Sequence, residues 1–211
     1  MSKAGSWSFA EEFLEEDDLV LDARARASGL GCRAVSPGTG ALLRTLAATA
    51  TVRSAVEVGT GAGVSGLYLL AGLPDTAVLT SIDVEAEHQA LARAAFAAAG
   101  HRPNRARLIV GDALDVLPRL AEASYELVVV DVDPAESAVE ACRLAVPLLR
   151  PRGLLVVTGA LHGDRVPDPT RRDPGTVAAR ELLDVVASGE RFHVSLIPTG
   201  DGVLLAGRRP V

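Results

Sequence analysis

The chain has 211 residues, 48% of them apolar and 23% charged, a balance that supports one folded domain with a full core and excludes a disordered chain. Its net charge of −6 argues against the basic surface that nucleic-acid-binding proteins present. No apolar run is long enough to span a membrane, and the acidic N-terminal region fits neither a signal nor a transit peptide, so we expect a cytoplasmic protein.

The two cysteines, Cys32 and Cys142, stand in unrelated sequence contexts. Neither belongs to a CxxC motif or has a histidine at metal-ligand spacing, which argues against a disulfide framework and against a zinc site. We therefore expect both cysteines to be buried as small apolar side chains.

The N-terminal part of the chain is predicted to be helical. In "SFAEEFLEEDDLVLDARARA" apolar residues stand among charges, and "GALLRTLAATA" repeats apolar positions at helical spacing. The apolar residues of the first stretch are Phe9, Phe13, Leu14, Leu19 and Leu21. We expect residues 1–50 to form a helical segment that packs on the core of residues 51–211, the two parts making a single domain overall.

From residue 54 onward short apolar runs alternate with longer amphipathic ones, the pattern of βαβ units and a parallel sheet. The predicted strands are Ala55–Val58, Ala77–Ile82, Ala106–Val110, Leu127–Val130 and Leu154–Val157. The predicted helices are Val64–Ala71, Glu85–Ala99, Ala113–Ala121 and Glu136–Leu149. We expect the breakers Pro74, Gly100 and 151–153 to fall between these elements.

The C-terminal part follows a different pattern. "DPGTVAARELLDVVASG" predicts a helix with Asp173 as its cap and Pro174 in its first turn. "RFHVSLIP" and "VLLAGRR", separated by "TGDG", predict two strands of an antiparallel hairpin. The whole chain is therefore predicted to be an α/β protein with a seven-stranded, mostly parallel sheet, a C-terminal antiparallel hairpin and helices on both faces.

Two glycine patterns overlap in "VEVGTGAGVSG", the stretch that closes the first predicted strand. Gly61, Gly63 and Gly66 have the spacing of a turn that holds the pyrophosphate of a dinucleotide such as NAD. Read from Glu57, the same stretch is an acidic residue followed by alternating glycines, Gly59 being the first, as in the turns that bind S-adenosylmethionine (SAM). The two patterns name different cofactors.

The charge of Glu57 favours SAM. Its neighbours are apolar, so it stands at a buried strand end, where an unpaired carboxylate is costly and should meet a cation or a hydrogen-bond donor. In dinucleotide turns that position is usually apolar. SAM brings a sulfonium and an ammonium, which Glu57 and Asp131 would complement, whereas the phosphates of NAD would be repelled.

Two further acidic residues follow predicted strands. Asp83 ends the second strand, where a carboxylate accepts both hydroxyls of a ribose in either cofactor family, and capping of the next helix is the alternative. Asp112, followed by Ala113, comes after the third strand. It could reach an adenine amine or cap the next helix, and both interpretations stay open.

Over residues 33–209 the chain resembles the bacterial O-methyltransferase family related to caffeoyl-CoA and catechol O-methyltransferases, which are class I SAM-dependent enzymes with a Rossmann-like fold. The segments that carry the resemblance are "VSPGTGALLRTLA", "AVEVGTGAGVSGLYLL", "TSIDVE", "LIVGDALDVLP", "YELVVVDVD", "LLRPRGLLVV" and "IPTGDGVLLAGRR". A nicotinamide dehydrogenase would normally need a second domain, for which no residues remain. The predicted cofactor is therefore SAM.

The resemblance implies a role for each matching position. It places Val35, Glu57, Gly59 and Thr60 near the methionine end of SAM, with Ser65 on its carboxylate. It places Asp83 and Val84 on the ribose and Asp131 beside the sulfonium and the acceptor. The remaining predicted cofactor contacts are Gly61, Gly63, Asp112 and Ala113.

Studied members of this family hold a divalent cation with the first Asp of a "VDAD"-like strand end and with an Asp-Asn pair that closes the next strand. Asp131 and Asp133 preserve the first half of this pattern, but Thr158 and Gly159 stand where the pair should be, and Pro134 replaces the usual lysine. Two carboxylates and a hydroxyl make a weak site for a hard ion. We predict that the family's metal centre is absent.

Without a metal, another group must accept the acceptor's proton. His162, in the loop "LHGDRVPDPTRRD", is the predicted general base, with Asp131 or Asp133 orienting it or acting directly; an ordinary loop histidine is the alternative. The other histidines, His88, His101 and His193, are predicted to be structural. Arg171 and Arg172 are predicted either to contact an anionic acceptor or to be a solvated pair.

The predicted function is SAM-dependent methylation, on oxygen, of a small-molecule acceptor without the usual metal. The alternative is a non-catalytic protein that binds SAM or its demethylated product as a sensor or assembly partner, because a binding protein needs no replacement base. The helical N-terminal segment could cover the acceptor, pack on the sheet edge or join two subunits. Since members of the family are commonly dimers, we expect a homodimer that binds neither nucleic acid nor membrane.

Overall fold

A computed structural model describes residues 3–49, 52–132 and 135–210 of the protein. Within these ranges, short 3-10 turns aside, the helices are α1 (Lys3–Glu12), α2 (Asp18–Gly29), α3 (Pro37–Thr49), α4 (Val64–Gly72), α5 (Ala86–Ala98), α6 (Ala113–Val116), α7 (Ala135–Ala145) and α8 (Pro174–Ala187). The strands are β1 (Ser54–Val58), β2 (Val78–Asp83), β3 (Ala106–Val110), β4 (Tyr125–Val130), β5 (Leu149–Thr158), β6 (Phe192–Ile197) and β7 (Val203–Arg208).

The seven strands form one sheet in the order β3-β2-β1-β4-β5-β7-β6. Neighbouring strands are parallel from β3 to β5 in this order, whereas β7 pairs antiparallel with both β5 and β6. The predicted sheet with its C-terminal hairpin is confirmed. Because the connections from β1 and from β4 leave in opposite directions, the carboxyl ends of these two neighbouring strands border a crevice.

Side chains that alternate along the strands divide the core between the two faces of the sheet. On β4, Leu127 and Val129 belong to a buried cluster with residues of α3, α4 and α5. Val128 and Val130, on the other face, belong to a cluster with residues of α7 and α8. Both faces are covered by helices, as predicted, and the strands are apolar on both sides as parallel sheets require.

The N-terminal stretch predicted as helix is interrupted between α1 and α2. Asp17 caps α2, where its Oδ1 accepts the Val20 N–H at 3.0 Å. Small residues, Ala23 and Ala27 with Val20, form the buried face of α2. Leu19 and Leu21 of α2 stay exposed, because the small-residue face is the one that meets the core. Phe9 of α1 is exposed too, as are Phe13 and Leu14 between the two helices.

Contacts across the chain fix α1 over the hairpin. Trp7 Nε1 donates to the Pro198 carbonyl at 2.8 Å. The Glu11 carboxylate accepts the Gly200 N–H and the Gly38 N–H, which joins the hairpin turn to the start of α3. Helix α1 therefore contacts both the hairpin and the start of α3.

Two helices end earlier than predicted. α6 ends at Val116 rather than at residue 121, and α7 ends at Ala145 rather than at residue 149. In both cases a proline, Pro118 or Pro147, stands in a 3-10 turn that directly follows the helix. Proline lacks the N–H that continuing the helix would use, which accounts for both early ends.

The expectation that residues 151–153 lie between elements is wrong, because β5 runs through them. Tyr125 pairs with Leu149 and Leu127 with Leu154, so β5 advances five residues while β4 advances two. Arg152 has a φ of 67° within this irregularity. A bulge in the strand thus accommodates the proline and the glycine that the sequence marks as breakers.

The predicted start of α8 is confirmed. Asp173 Oδ1 accepts the Thr176 N–H at 3.1 Å, and Pro174 is the first residue of the helix.

Within the described residues, no helix is both long and apolar enough to cross a membrane.

Candidate active site

A cavity of about 350 Å³ opens at the carboxyl ends of β1, β2 and β4. Its walls come from the turn after β1, the loop before α3 and the residues that follow β2, β3 and β4. Of the residues predicted to bind the cofactor, those that line it are Val35, Gly59, Thr60, Gly61, Ser65, Asp83, Val84, Asp112, Ala113 and Asp131. Glu57 and Gly63 lie behind this wall.

The glycine turn lets backbone segments approach one another closely. Gly59 has a φ of 93°, and a Cβ there would lie 1.9 Å from the Asp131 carbonyl oxygen. Gly63, with a φ of 92°, precedes α4, and its Cβ would lie 2.9 Å from the Ala92 Cα. Both positions require glycine for the packing of the turn itself.

Glu57 is fully buried beneath the turn. Its Oε2 accepts a hydrogen bond from Ser81 Oγ, whereas Oε1 has no hydrogen-bond partner among the described residues. Burial raises the pKa of Glu57 to about 7, against the opposing hydrogen bonds of Ser65 and Ser81. Ser65 also lines the cavity, so it links this carboxyl to the ligand space.

A chain of buried hydrogen bonds continues from Glu57 under the turn. Ser81 Oγ and Thr60 Oγ1 lie 2.6 Å apart, and Gln89 Nε2 donates to Thr60 Oγ1 at 2.9 Å. Gln89 Nε2 also donates to the Ile109 carbonyl at 3.1 Å. The network holds Thr60, which lines the cavity, in one position.

The Asp83 carboxylate, at the end of β2, accepts hydrogen bonds from two backbone N–H groups. Its Oδ2 accepts the Gly61 N–H at 2.8 Å, and its Oδ1 accepts the Glu85 N–H at 2.9 Å. His88, which is predicted to be structural, has its Nδ1 3.2 Å from Asp83 Oδ1 and lines the cavity. The turn between β2 and α5 places the His88 ring next to the Asp83 carboxylate.

Asp112 caps the next helix, which is one of the two interpretations that the sequence leaves open. Its Oδ1 accepts the Leu114 N–H at 2.8 Å and so caps α6. The same residue lines the cavity beside Ala113. Capping therefore holds the side chain without removing it from the ligand space.

The expectation that both cysteines are buried holds for one of them. Cys142 is buried against the sheet, and burial raises the pKa of its thiol to about 12. Cys32 is half-buried and lines the cavity, because it stands on the loop after α2 instead of on a helix that faces the core.

Asp131 stands where the large cavity meets a smaller one. Thr158 Oγ1 donates to Asp131 Oδ1, and both residues line the smaller cavity together with Gly159, His162 and Arg33. Burial raises the pKa of Asp131, while the Thr158 hydroxyl and the Arg33 charge act in the opposite direction. A carboxylate of raised pKa is a stronger base than an ordinary aspartate.

His162 borders the smaller cavity, and its ring contacts the residues at the start of α8. Its Nε2 lies 3.8 Å from Asp173 Oδ1, and a Cβ on Gly175 would lie 2.6 Å from the same nitrogen. The start of α8 therefore positions the ring, and Asp173 instead of Asp131 is its carboxylate neighbour. Asp133, the other predicted partner of His162, lies outside the described residues.

Among the described residues, few side-chain oxygens surround Asp131. Asp131 already accepts the Thr158 hydroxyl, and Gly159 offers no side-chain ligand. Among the residues that the structure describes, no three His, Cys, Asp or Glu side chains gather as metal ligands do. Hard divalent ions prefer several oxygen ligands.

The sheet order, the antiparallel hairpin and the glycine turn define a Rossmann-like methyltransferase. A family model described as O-methyltransferase matches residues 12–209. The chain belongs to this O-methyltransferase family.

Several similar proteins support the same class. A Mycobacterium tuberculosis protein named "Probable O-methyltransferase Rv1220c" is 49% identical over 202 residues, which cover 96% of this chain and 90% of the relative. A crystal structure of a Corynebacterium glutamicum protein has a TM-score of 0.89 and 39% identity, covering 97% of this chain and 95% of that one. The O-methyltransferase TomG of Streptomyces achromogenes, involved in tomaymycin synthesis and solved in complex with SAM, has a TM-score of 0.86 and 28% identity, covering 99% and 100%.

These matches confirm that the protein is a SAM-dependent O-methyltransferase whose cofactor is SAM. Sequence reasoning missed four residues that the fold brings to the cleft or beneath it: Arg33, Ser81, His88 and Gln89. Ser81 lies one residue before the "ID" that ends β2, so its inward direction was readable from strand alternation. The contacts of Arg33 depend on the hairpin turn, and no local signal reveals them.

Proposed function

We propose that this enzyme methylates a small-molecule acceptor on oxygen without a divalent metal ion. The observation that supports the proposal is the environment of Asp131. Among the described residues, this carboxylate accepts a hydrogen bond from Thr158 and borders the same cavity as Gly159 and Arg33, with no cluster of oxygen ligands around it. The smaller cavity, of about 60 Å³, adjoins the larger one and provides the place for the acceptor oxygen. Its small size favours a compact acceptor group.

We assign the large cavity to the cofactor, which when bound supplies a methyl group on a sulfonium. The residues that we propose for its methionine end are Val35, Glu57, Gly59, Thr60, Gly61 and Ser65. For the ribose we propose Asp83 and Val84, and for the adenine Asp112 and Ala113. Gly63 does not line the cavity, but its lack of a side chain allows α4 to begin close to α5.

The acceptor's proton passes in this proposal to Asp131, which lines both cavities. The raised pKa of Asp131 brings it closer to the pH at which a general base works well. His162, on the far side of the smaller cavity, is the second candidate. Walls that position the acceptor and exclude water supply much of the remaining rate enhancement.

The test is methyl transfer from labelled SAM to a panel of small phenols and carboxylic acids, with EDTA and then with added magnesium. The proposal expects transfer that EDTA does not reduce. Activity that disappears with EDTA and returns with magnesium would overturn the metal-free mechanism. SAM binding without transfer to any acceptor would favour the non-catalytic alternative.

The organisation of the protein is also a proposal. We propose that residues 1–50 cover the core formed by residues 51–211, supported by the α1 contacts with the hairpin and with the start of α3. We further propose a cytoplasmic homodimer. Its support is the group of exposed apolar side chains on and next to α1 and α2: Trp7, Phe9, Phe13, Leu14, Leu19 and Leu21.

A further inference from the structure

We propose that Arg33 is a further catalytic residue, whose guanidinium binds the acceptor oxygen as an anion beside the methyl donor. The inference rests on the proposed function, since it places the acceptor in the smaller cavity. It adds the substrate class, which is a compound whose reacting oxygen ionises readily, such as an acidic hydroxyl or a carboxyl group.

The position of Arg33 supports this role. It stands on the loop between α2 and α3, and its side chain lines both the cofactor cavity and the smaller cavity. Among the described residues, Asp131 and Val132 also border both spaces. A group that binds the acceptor next to the transferred methyl must lie at this junction.

Gly159 leaves the space into which the guanidinium extends. A Cβ on Gly159 would lie 3.4 Å from Arg33 Nη2, so a longer side chain at this position would compete with the guanidinium. The φ of Gly159 is 66°, a conformation that side chains rarely adopt. Residue 159 therefore supplies no side-chain ligand and leaves room for the guanidinium.

The guanidinium is suited to an anionic oxygen. It keeps its charge throughout the physiological range and presents N–H donors in a planar fork that matches oxyanions. Its Nη2 lies 3.3 Å from Asp201 Oδ2 in the hairpin turn, and the Arg33 side chain is 59% exposed in this pair. A guanidinium has five N–H donors, so Arg33 can bind an anion while it keeps this ion pair.

The step balances without a further reagent. The acceptor's proton passes to Asp131, or to solvent for an acceptor that is already ionised. The new bond joins the acceptor oxygen to the methyl carbon, while the carbon–sulfur bond breaks and its electron pair goes to sulfur. Arg33 stabilises the negative oxygen before the transfer and neither gains nor loses a proton.

The experiment uses 4-nitrophenol, a probe that ionises near neutral pH and changes colour when it does. The protein is first saturated with S-adenosylhomocysteine, so no turnover occurs, and the probe is titrated over a range of pH. We expect the wild-type protein to bind the phenolate and to lower the pH at which the bound probe ionises. Arg33→Gln should weaken phenolate binding roughly tenfold or more, and Arg33→Lys should weaken it less.

Two variants control for indirect effects. Asp201→Asn removes the charge that pairs with Arg33 but keeps an oxygen for the Gly163 N–H, which Asp201 Oδ1 accepts at 2.6 Å. It should leave probe binding within about threefold of wild type, since the guanidinium remains. Arg143→Gln, on the exposed face of α7, should change nothing.

The outcomes separate the two proposals. Failure of the wild-type protein to bind S-adenosylhomocysteine would count against the proposed function as a whole. Normal S-adenosylhomocysteine binding, with either no phenolate binding by the wild type or equal binding by Arg33→Gln, would overturn the role of Arg33 alone. Unchanged S-adenosylhomocysteine affinity in Arg33→Gln shows that the variant is folded.

Discussion

Several carboxylates at the cleft already have partners within the protein. Asp83 accepts the N–H groups of Gly61 and Glu85, Asp112 caps α6, and Asp131 accepts the Thr158 hydroxyl. Each oxygen of a carboxylate has more than one acceptor site, so these bonds hold the side chains in place for a ligand. Substitutions here should therefore affect both the turn and the ligand.

Asp83 gives the clearest test of the cofactor orientation. We expect Asp83→Asn to weaken SAM binding by about tenfold or more, because hydrogen bonds to a charged acceptor are stronger than those to an amide. Asp83→Ala should weaken it further, since the Gly61 N–H also loses its acceptor. Calorimetric titration measures both effects, with Asp115→Asn as the control; unchanged affinity in Asp83→Ala would show that the ribose is not bound there.

The raised pKa of Glu57 predicts that the stability of the protein depends on pH. Its pKa is raised from 4.5 to about 7 by burial, so the folded protein holds this proton more tightly than the unfolded chain. The stabilisation is fully present below pH 4.5 and is lost as the pH rises through about 7. The difference is at most roughly 3 kcal/mol.

Glu57→Gln, which keeps the shape and removes the titration, should lack this decline. Chemical denaturation at pH 5 and pH 8 compares the free energy of unfolding of wild type and variant, with the exposed Glu122→Gln as the control. A variant that loses as much stability as wild type between these two pH values would show that Glu57 ionises normally in the folded state.

Among the structural elements, the turn after β1 depends most on glycine. Gly59→Ala should destabilise the fold by more than about 3 kcal/mol, because positive φ adds to a Cβ contact of 1.9 Å with the backbone of Asp131. Gly100→Ala is the matched control, since Gly100 has a φ of 78° with nothing within 4 Å. It should cost about 1 to 2 kcal/mol, and equal losses for the two variants would contradict the close packing of β1 against β4.

The order of elements was predictable because apolar periodicity and glycine spacing are local properties. The parallel strands, the hairpin and the Asp173 cap follow from such patterns. The bulge at residues 151–153 was not predictable, because pairing with β4 decides that the chain stays in the sheet there. In the same way, the contact of His88 with Asp83 and the place of Arg33 beside Gly159 arise from tertiary packing.

The assembled molecule leaves apolar side chains of the N-terminal helices in solvent. Phe9 and Phe13 are each about two-thirds exposed, with ring centroids 5.9 Å apart. If this surface joins two subunits, light scattering should give twice the mass of one chain for wild type and the single mass for the double variant Phe9→Ser, Phe13→Ser. Val177→Ser with Val185→Ser, on exposed positions of α8, should stay dimeric. A monomeric wild type would contradict the dimer.

The most direct measurement is a calorimetric titration of the protein with SAM, S-adenosylhomocysteine and NAD, each with magnesium and with EDTA. We predict tight binding of SAM and S-adenosylhomocysteine that is the same under both conditions, and no binding of NAD. The reason is that the cleft offers carboxylates to a cationic ligand and that its described residues form no metal-type donor set. Preference for NAD, or SAM binding that requires magnesium, would contradict the assignment of the cleft.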